Sequence, residues 1–220
     1  RVLFRSFVET QVRMRVNGQG RVSGSATWHV GGVFEGESRS ARQRALSDSE
    51  EETVNATLAR YDESGTGQIS SGDPLVHGEP WLVQTDFDLE SVVDLPGPSA
   101  MRVPVGVTRA DLRAFANWKP LVERRNPFAC SAGRWRDDIE IVLPVSARPV
   151  FVPGGVAVER GAFRYHATWQ LDGNRLKVIR ELIIERDRGY CMPQDERDFI
   201  PVREAMRRDL MGQVVFGLTP

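Results

Sequence analysis

The sequence predicts a mainly β fold with helices (α+β), an antiparallel β-sandwich decorated by about three helices, and three observations carry that prediction. Residues 7–16, 21–30, 81–90, 135–143 and 163–171 alternate apolar and polar side chains with period two, the mark of half-buried strands. Tight turns at Asn17-Gly18-Gln19-Gly20 and Asp172-Gly173-Asn174 close two long hairpins. The helical patterns are grouped between strands without a repeating strand–helix alternation, which argues against a doubly wound sheet.

The elements follow in order. In residues 7–16, Val8, Thr10, Val12, Met14 and Val16 share one face, and in residues 21–30 the inward set is Val22, Gly24, Ala26, Trp28 and Val30. A helical segment over residues 38–46 is suggested by its arginine and alanine content. Ser47 with Glu50 reads as the capping box of the next helix, with Val54, Leu58 and Tyr61 at helical spacing and Gly65 as its end. Residues 65–80, rich in Gly and Ser, read as loop. Trp81, Val83, Thr85, Phe87 and Leu89 form the inner face of a strand, and a short edge strand is expected over residues 101–105 among the prolines.

Thr108 then caps a helix over residues 109–118, with Asp111 at the capping-box position and a Val107–Leu112 staple. Trp135, Asp137, Ile139, Ile141 and Leu143 line the next strand, and residues 144–155 are a Pro/Gly connector. In the second hairpin Phe163, Tyr165, Ala167, Trp169 and Leu171 alternate, and the partner strand follows from Arg175. Residues 193–211 form the last helix; Pro201 suits only a first turn, which places the main helix start near Asp198. Residues 213–218 are a further short strand. The count is six clear strands, one or two more, and three helices.

Length and composition set outer bounds. The 220 residues allow one large domain: residues 7–220 read as a single sandwich with helical insertions and a sub-boundary near 130. Residues 1–6, Arg-Val-Leu-Phe-Arg-Ser, read as a non-native or unstructured leader resembling a translated sequencing adapter, with the genuine metagenomic fragment beginning near Phe7. A net charge of -1 and a pI near 6.4 give no electrostatic case for nucleic acid. No apolar run approaches the roughly 20 residues of a transmembrane helix.

Candidate chemistry is sparse. Cys130 and Cys191 either pair in an oxidising compartment or are ordinary core thiols. Neither sits in a nucleophile motif, and no Gly-x-Ser-x-Gly, P-loop or dinucleotide fingerprint is present. His29, His77 and His166 lack metal-ligand spacing and read as surface histidines. The loop with Asp62 at position one, Gly67 at six, Ile69 at eight and Asp73 at twelve is a partial calcium loop. Its neutral Ser64 and Thr66 and the short Asp73 weaken it, so a polar loop is the expectation. Arg203, Arg207 and Arg208 read as a solvated helix end. These readings leave no catalytic, cofactor or metal residue assigned. Trp28, Trp81, Trp118, Trp135 and Trp169 are the aromatic pool for any binding site, although strand parity directs most of them into the core.

With this order laid out, the chain resembles the C-terminal β-rich region, a domain of unknown function, of bacterial transglutaminase-like envelope proteins with a papain-like fold. The resemblance is carried by the strand–turn–strand at Asn17-Gly18-Gln19-Gly20, the helix around Arg42 and Arg125-Asn126-Pro127-Phe128. Further on it is carried by Ile139-Glu140-Ile141-Val142-Leu143-Pro144, Tyr165 with the following hairpin, and the closing helix over residues 193–208. It implies a periplasmic or cell-envelope protein in which this piece is a non-catalytic accessory domain packing on or positioning an upstream transglutaminase/protease-like domain. The family's catalytic Cys, His and Asp would lie upstream of Phe7, and no residue here takes those roles. The alternative is a stand-alone envelope binding module for a glycan, peptide or protein.

Overall fold

A computed structural model describes residues 6–45, 49–76, 81–109, 111–121 and 123–218. Among the described residues there are thirteen strands and four helices. In chain order they are β1 (Phe7–Val16), β2 (Val22–Gly31), α1 (Val33–Ala45), α2 (Glu50–Ala59), β3 (Gly65–Ser71), β4 (Trp81–Leu89), β5 (Ser99–Arg102), α3 (Asp111–Asn117) and β6 (Phe128–Ala129). Then come β7 (Gly133–Val142), β8 (Pro149–Phe151), β9 (Val156–Arg160), β10 (Phe163–Asp172), β11 (Arg175–Ile184), β12 (Tyr190–Cys191), α4 (Pro193–Leu210) and β13 (Gln213–Phe216).

The alternating segments become one eight-stranded sheet, ordered β3-β4-β2-β1-β7-β11-β10-β9. All its neighbours are antiparallel except β1 and β7, which run parallel. Pairing β1 with β7 joins the chain before and after residue 130 in the same sheet. The face that strand parity turns outward carries a ladder of charge: Arg134 reaches Glu9 at 3.1 Å and Glu181 at 2.8 Å, Arg13 reaches Asp138 at 3.3 Å, and Arg175 reaches Glu140 at 2.9 Å. Such solvated pairs are worth at most ~1 kcal/mol each. They do keep this face wet, so the sheet buries one side only.

The inner face is covered in two ways. A three-stranded sheet, β5-β13-β8, packs Met101, Val214 and Phe216 against Val12, Met14, Ile139 and Ile141. The other half is covered by α1, α3 and α4, which bring Phe34, Leu112, Phe199, Val202 and Met206 to Val8, Trp28, Trp135 and Tyr165. The mainly β class with helices therefore holds. The covering layer is three strands plus helices, where the sequence suggested a second full sheet, and the helices number four.

Register explains why the core falls into two halves. Trp28, Thr10, Asp137, Arg180 and Ala167 lie opposite one another on successive strands, β2 to β10. The next inward rung on one side is Val8, Trp135, Leu182 and Tyr165; on the other it is Val12, Ile139, Val178 and Trp169. A polar rung of Thr10, Asp137 and Arg180 thus separates two apolar clusters.

Several local expectations change. The helix cap is Ser49 with Glu52, two residues beyond the expected pair: Ser49 Oγ accepts from Glu52 N at 3.1 Å, and Glu52 Oε2 accepts from Ser49 N at 3.2 Å. Ser47 lies outside the described residues. The helix stops at Ala59, and Gly65 opens strand β3, which the glycines and serines concealed as loop. There the small residues have a reason: a Cβ on Gly65 or Gly67 would press into the backbone of Asp88 or Asp86 on β4. The first helix starts earlier, at Val33, β8 lies within the expected connector, and β9 follows directly after it. Asp111 opens α3, and its carboxylate accepts from Arg109 instead of closing a capping box. Helix α4 runs unbroken from Pro193 through Pro201; Asp195 Oδ2 takes the Met192 N–H at 2.6 Å and fixes the first turn upstream of the expected start at Asp198. Ser6, expected to be leader, accepts the Val33 N–H on its hydroxyl and the Arg134 N–H on its carbonyl.

Candidate functional site

Above the polar rung, the helix-covered cluster does not close completely. Seven aromatic rings, Phe34, Phe115, Trp118, Phe128, Trp135, Phe163 and Phe199, line a cavity of about 440 Å3. That lies within the roughly 300–1,000 Å3 range of small-molecule sites. Six of the rings come from six different elements, and Trp118 follows directly after α3. Phe34 from α1 tilts against Trp135 of β7 at 4.9 Å, and Phe115 from α3 meets Trp135 edge-on at 4.7 Å. Phe199 of α4 contacts Phe163 of β10 at 4.9 Å and Trp118 at 5.7 Å.

The remaining wall is held by covalent and ionic ties. Cys130 and Cys191 form a disulfide across the short β6–β12 ladder, placing Phe128 opposite Cys191. Trp118 stacks on Phe128 at 6.0 Å, and the Arg124 guanidinium lies over Phe128 at 4.1 Å. Arg124 is held in turn by the buried Glu196 of α4 at 2.8 Å, which also accepts the Leu121 N–H at 2.9 Å. Arg203 donates to the Trp118 carbonyl at 2.7 Å. The loop before β6 is therefore clamped to α4 at three points.

Charged groups complete the lining. Glu37 comes from α1, and Arg109 pairs with Asp111 at 2.9 Å. Burial raises the Asp111 carboxyl above the ordinary carboxylate value, Arg109 offsets part of this, and Glu37 adds to the rise.

A second polar group lies deeper, where α4 meets the sheet. Asp209 receives Tyr165 Oη at 2.7 Å, Trp169 Nε1 at 2.6 Å and Arg180 Nε at 2.6 Å. Ala167, fully buried between Tyr165 and Trp169, leaves room for this carboxylate to reach the sheet. An acid in the last turn of a helix opposes the helix dipole, so these three donors are what hold Asp209 there. Burial, followed by the Asp209 charge, pushes the Tyr165 hydroxyl strongly upward, which keeps it a neutral donor. Beside it Asp137 keeps a little exposed surface, yet burial pushes its carboxyl up to about 6. Arg180, Arg113 and a hydrogen bond from Thr10 pull it down, and Asp111 pushes it further up. Every donor aimed at Asp209 is matched, so this group ties α4 to the sheet. No nucleophile is part of it.

The sequence candidates fall as follows. The two cysteines are bonded to each other, so neither offers a thiolate. His29 packs edge-on against Phe7, His166 is exposed, and His77 lies outside the described residues. The partial calcium loop is largely strand β3, whose extended backbone spaces Thr66, Gln68 and Ser70 along one exposed face instead of wrapping them round a centre. Among the described residues no group of three or more His, Cys, Asp or Glu could hold a metal ion. Arg207 and Arg208 are exposed as expected, whereas Arg203 is half-buried against Trp118. Of the five tryptophans, Trp28, Trp81 and Trp169 are core; Trp118 and Trp135 reach the cavity. Phe115 and Trp118, three apart at the end of α3, were the readable sign of an aromatic face.

No helix among the described residues is long and apolar enough to cross a membrane. Compared with family models, curated proteins and solved structures, the chain finds no match.

Proposed function

We propose that this chain is a non-catalytic binding domain, β-sandwich-like in build, whose aromatic cavity receives the apolar part of a small ligand. The observation that carries this reading is the cavity itself: seven rings around about 440 Å3, with Glu37, Arg109 and Asp111 among its lining residues. Apolar walls with a few placed polar groups are the usual make-up of a small-molecule site. The disulfide and the Glu196 clamp hold the walls in place, so little ordering cost falls on binding. The non-catalytic part of the reading rests on the disulfide occupying both thiols and on the matched donors around Asp209.

The test is a titration with phenylbutanol, a neutral aromatic probe, followed by tryptophan fluorescence. Saturable change is the expected result, since Trp118 and Trp135 line the site. Ala114 is an exposed lining residue on α3, so Ala114→Phe fills the cavity from its rim; it should abolish the change while moving stability by no more than ~0.5 kcal/mol. Undiminished binding in the variant, or none in the parent chain, overturns the reading.

A second reading has its own observation. Val150 and Phe151 on edge strand β8 are 59% and 56% exposed, and Leu218 nearby in the fold is 66% exposed. Such an apolar edge suits an accessory role, packing on an upstream transglutaminase-like domain of an envelope protein. The disulfide accords with an oxidising, periplasmic setting. Recovery of the upstream reading frame tests this: a papain-like Cys–His–Asp domain supports it, and a start codon with a signal peptide just before Phe7 removes it.

A further inference from the structure

We propose that the cavity selects small organic cations, an apolar or aromatic body carrying an ammonium group. The inference rests on the cavity being a ligand site and adds the charge of what enters it. Three charged side chains line the site, and their signs do not cancel. Arg109 is committed to Asp111 at 2.9 Å. That leaves Glu37, on α1, with no ion pair or hydrogen bond among the described residues. Two carboxylates against one guanidinium give the lining a net negative charge.

The rings act in the same direction. Trp and Phe present negative π-faces, so a cation beside Trp118 or Phe115 is attracted and an anion is not. The neighbouring arginines do not reverse this. Arg124 lies over Phe128 but is tied to Glu196 at 2.8 Å, and Arg203 is tied to Glu204 and to the Trp118 carbonyl. A cation with an apolar body would thus find both halves of its chemistry here. A carboxylate of the same shape would meet Glu37, Asp111 and the ring faces as like charge.

The experiment compares phenylbutylammonium, phenylbutanol and phenylbutyrate on the full chain by tryptophan fluorescence. One exposed ion pair and one cation–π contact together predict ~5–10-fold tighter binding of the ammonium than of the alcohol. Phenylbutyrate should bind weakest. The ammonium preference should shrink in concentrated salt, and Glu37→Gln should cut the ammonium-to-alcohol ratio by ~2–5-fold. Equal affinities, or a preference for phenylbutyrate, overturn the charge inference while leaving the cavity as a site. Absence of binding by all three overturns the cavity reading and this inference with it.

Discussion

Removing the Asp209 charge should cost more stability than any surface change, and the contacts set the size. The Arg180 and Asp209 side chains are 3% and 2% exposed, and their atoms approach to 2.6 Å. Asp209→Asn leaves the guanidinium of Arg180 in the core, facing Asp137 and the ring of Trp169 at 5.1 Å. Breaking a buried ion pair from one side costs ~3–5 kcal/mol, because the remaining charge has lost its partner. The bonds from Tyr165 and Trp169 weaken as well, and hydrogen bonds to a charged acceptor are worth ~1.5–3 kcal/mol. These terms share one carboxylate and do not add. A loss of ~3–5 kcal/mol is expected, a large share of the ~5–15 kcal/mol that holds a typical domain together. Urea unfolding followed by tryptophan fluorescence measures it. Below pH 6 the double variant Arg180→Met with Asp209→Leu should be more stable than Asp209→Asn alone, since no guanidinium is then stranded and Asp137, raised by burial to about 6, is protonated. A loss below ~1 kcal/mol for Asp209→Asn, or a double variant as unstable as the sum of its parts, refutes the reasoning.

Asp137 should give the protein a pH dependence of opposite sign to that of most carboxylates. Its folded value, about 6, lies above the ordinary 3.8, so the folded state holds the proton more tightly. This group's stabilising effect is therefore greatest below about 4 and declines as pH rises towards about 6, costing at most ~3 kcal/mol above that. Asp137→Asn should be more stable than the parent at pH 7 and equal to it near pH 4; a variant less stable at pH 7 contradicts the sign. The disulfide closes a 61-residue separation, for which chain entropy gives ~4 kcal/mol. Cys130→Ser with Cys191→Ser should lower the unfolding midpoint by ~8–12 °C and weaken phenylbutanol binding, because Phe128 loses its tether. An unchanged midpoint removes the bridge from the account.

Period two carried most of the large sheet. Strands β1, β2, β4, β7 and β10 were legible because each buries one face and wets the other, so every second residue is forced apolar. Strand β3 was not legible, because its Gly65 and Gly67 answer to the close approach of β4 backbone instead of to a core. Asp137 and Thr10 stood on inward faces by parity, but the row they form with Arg180 depends on which strands are neighbours. The parallel pairing of β1 with β7 spans more than a hundred residues of chain. The disulfide was open for the same reason: spacing along the chain says nothing of the distance between Cα atoms, here 5.6 Å. The cavity was the least legible feature. Its rings come from α1, α3, α4, β6, β7 and β10, and strand parity marks Trp135 and Phe163 as core without showing that space remains beside them.

The most direct test of the binding account is a crystal structure of the chain with phenylbutanol. The account predicts the phenyl ring seated among Trp118, Phe115 and Trp135, with the hydroxyl towards Glu37 and Asp111. A ring bound elsewhere, or a cavity closed by repacked side chains, contradicts it.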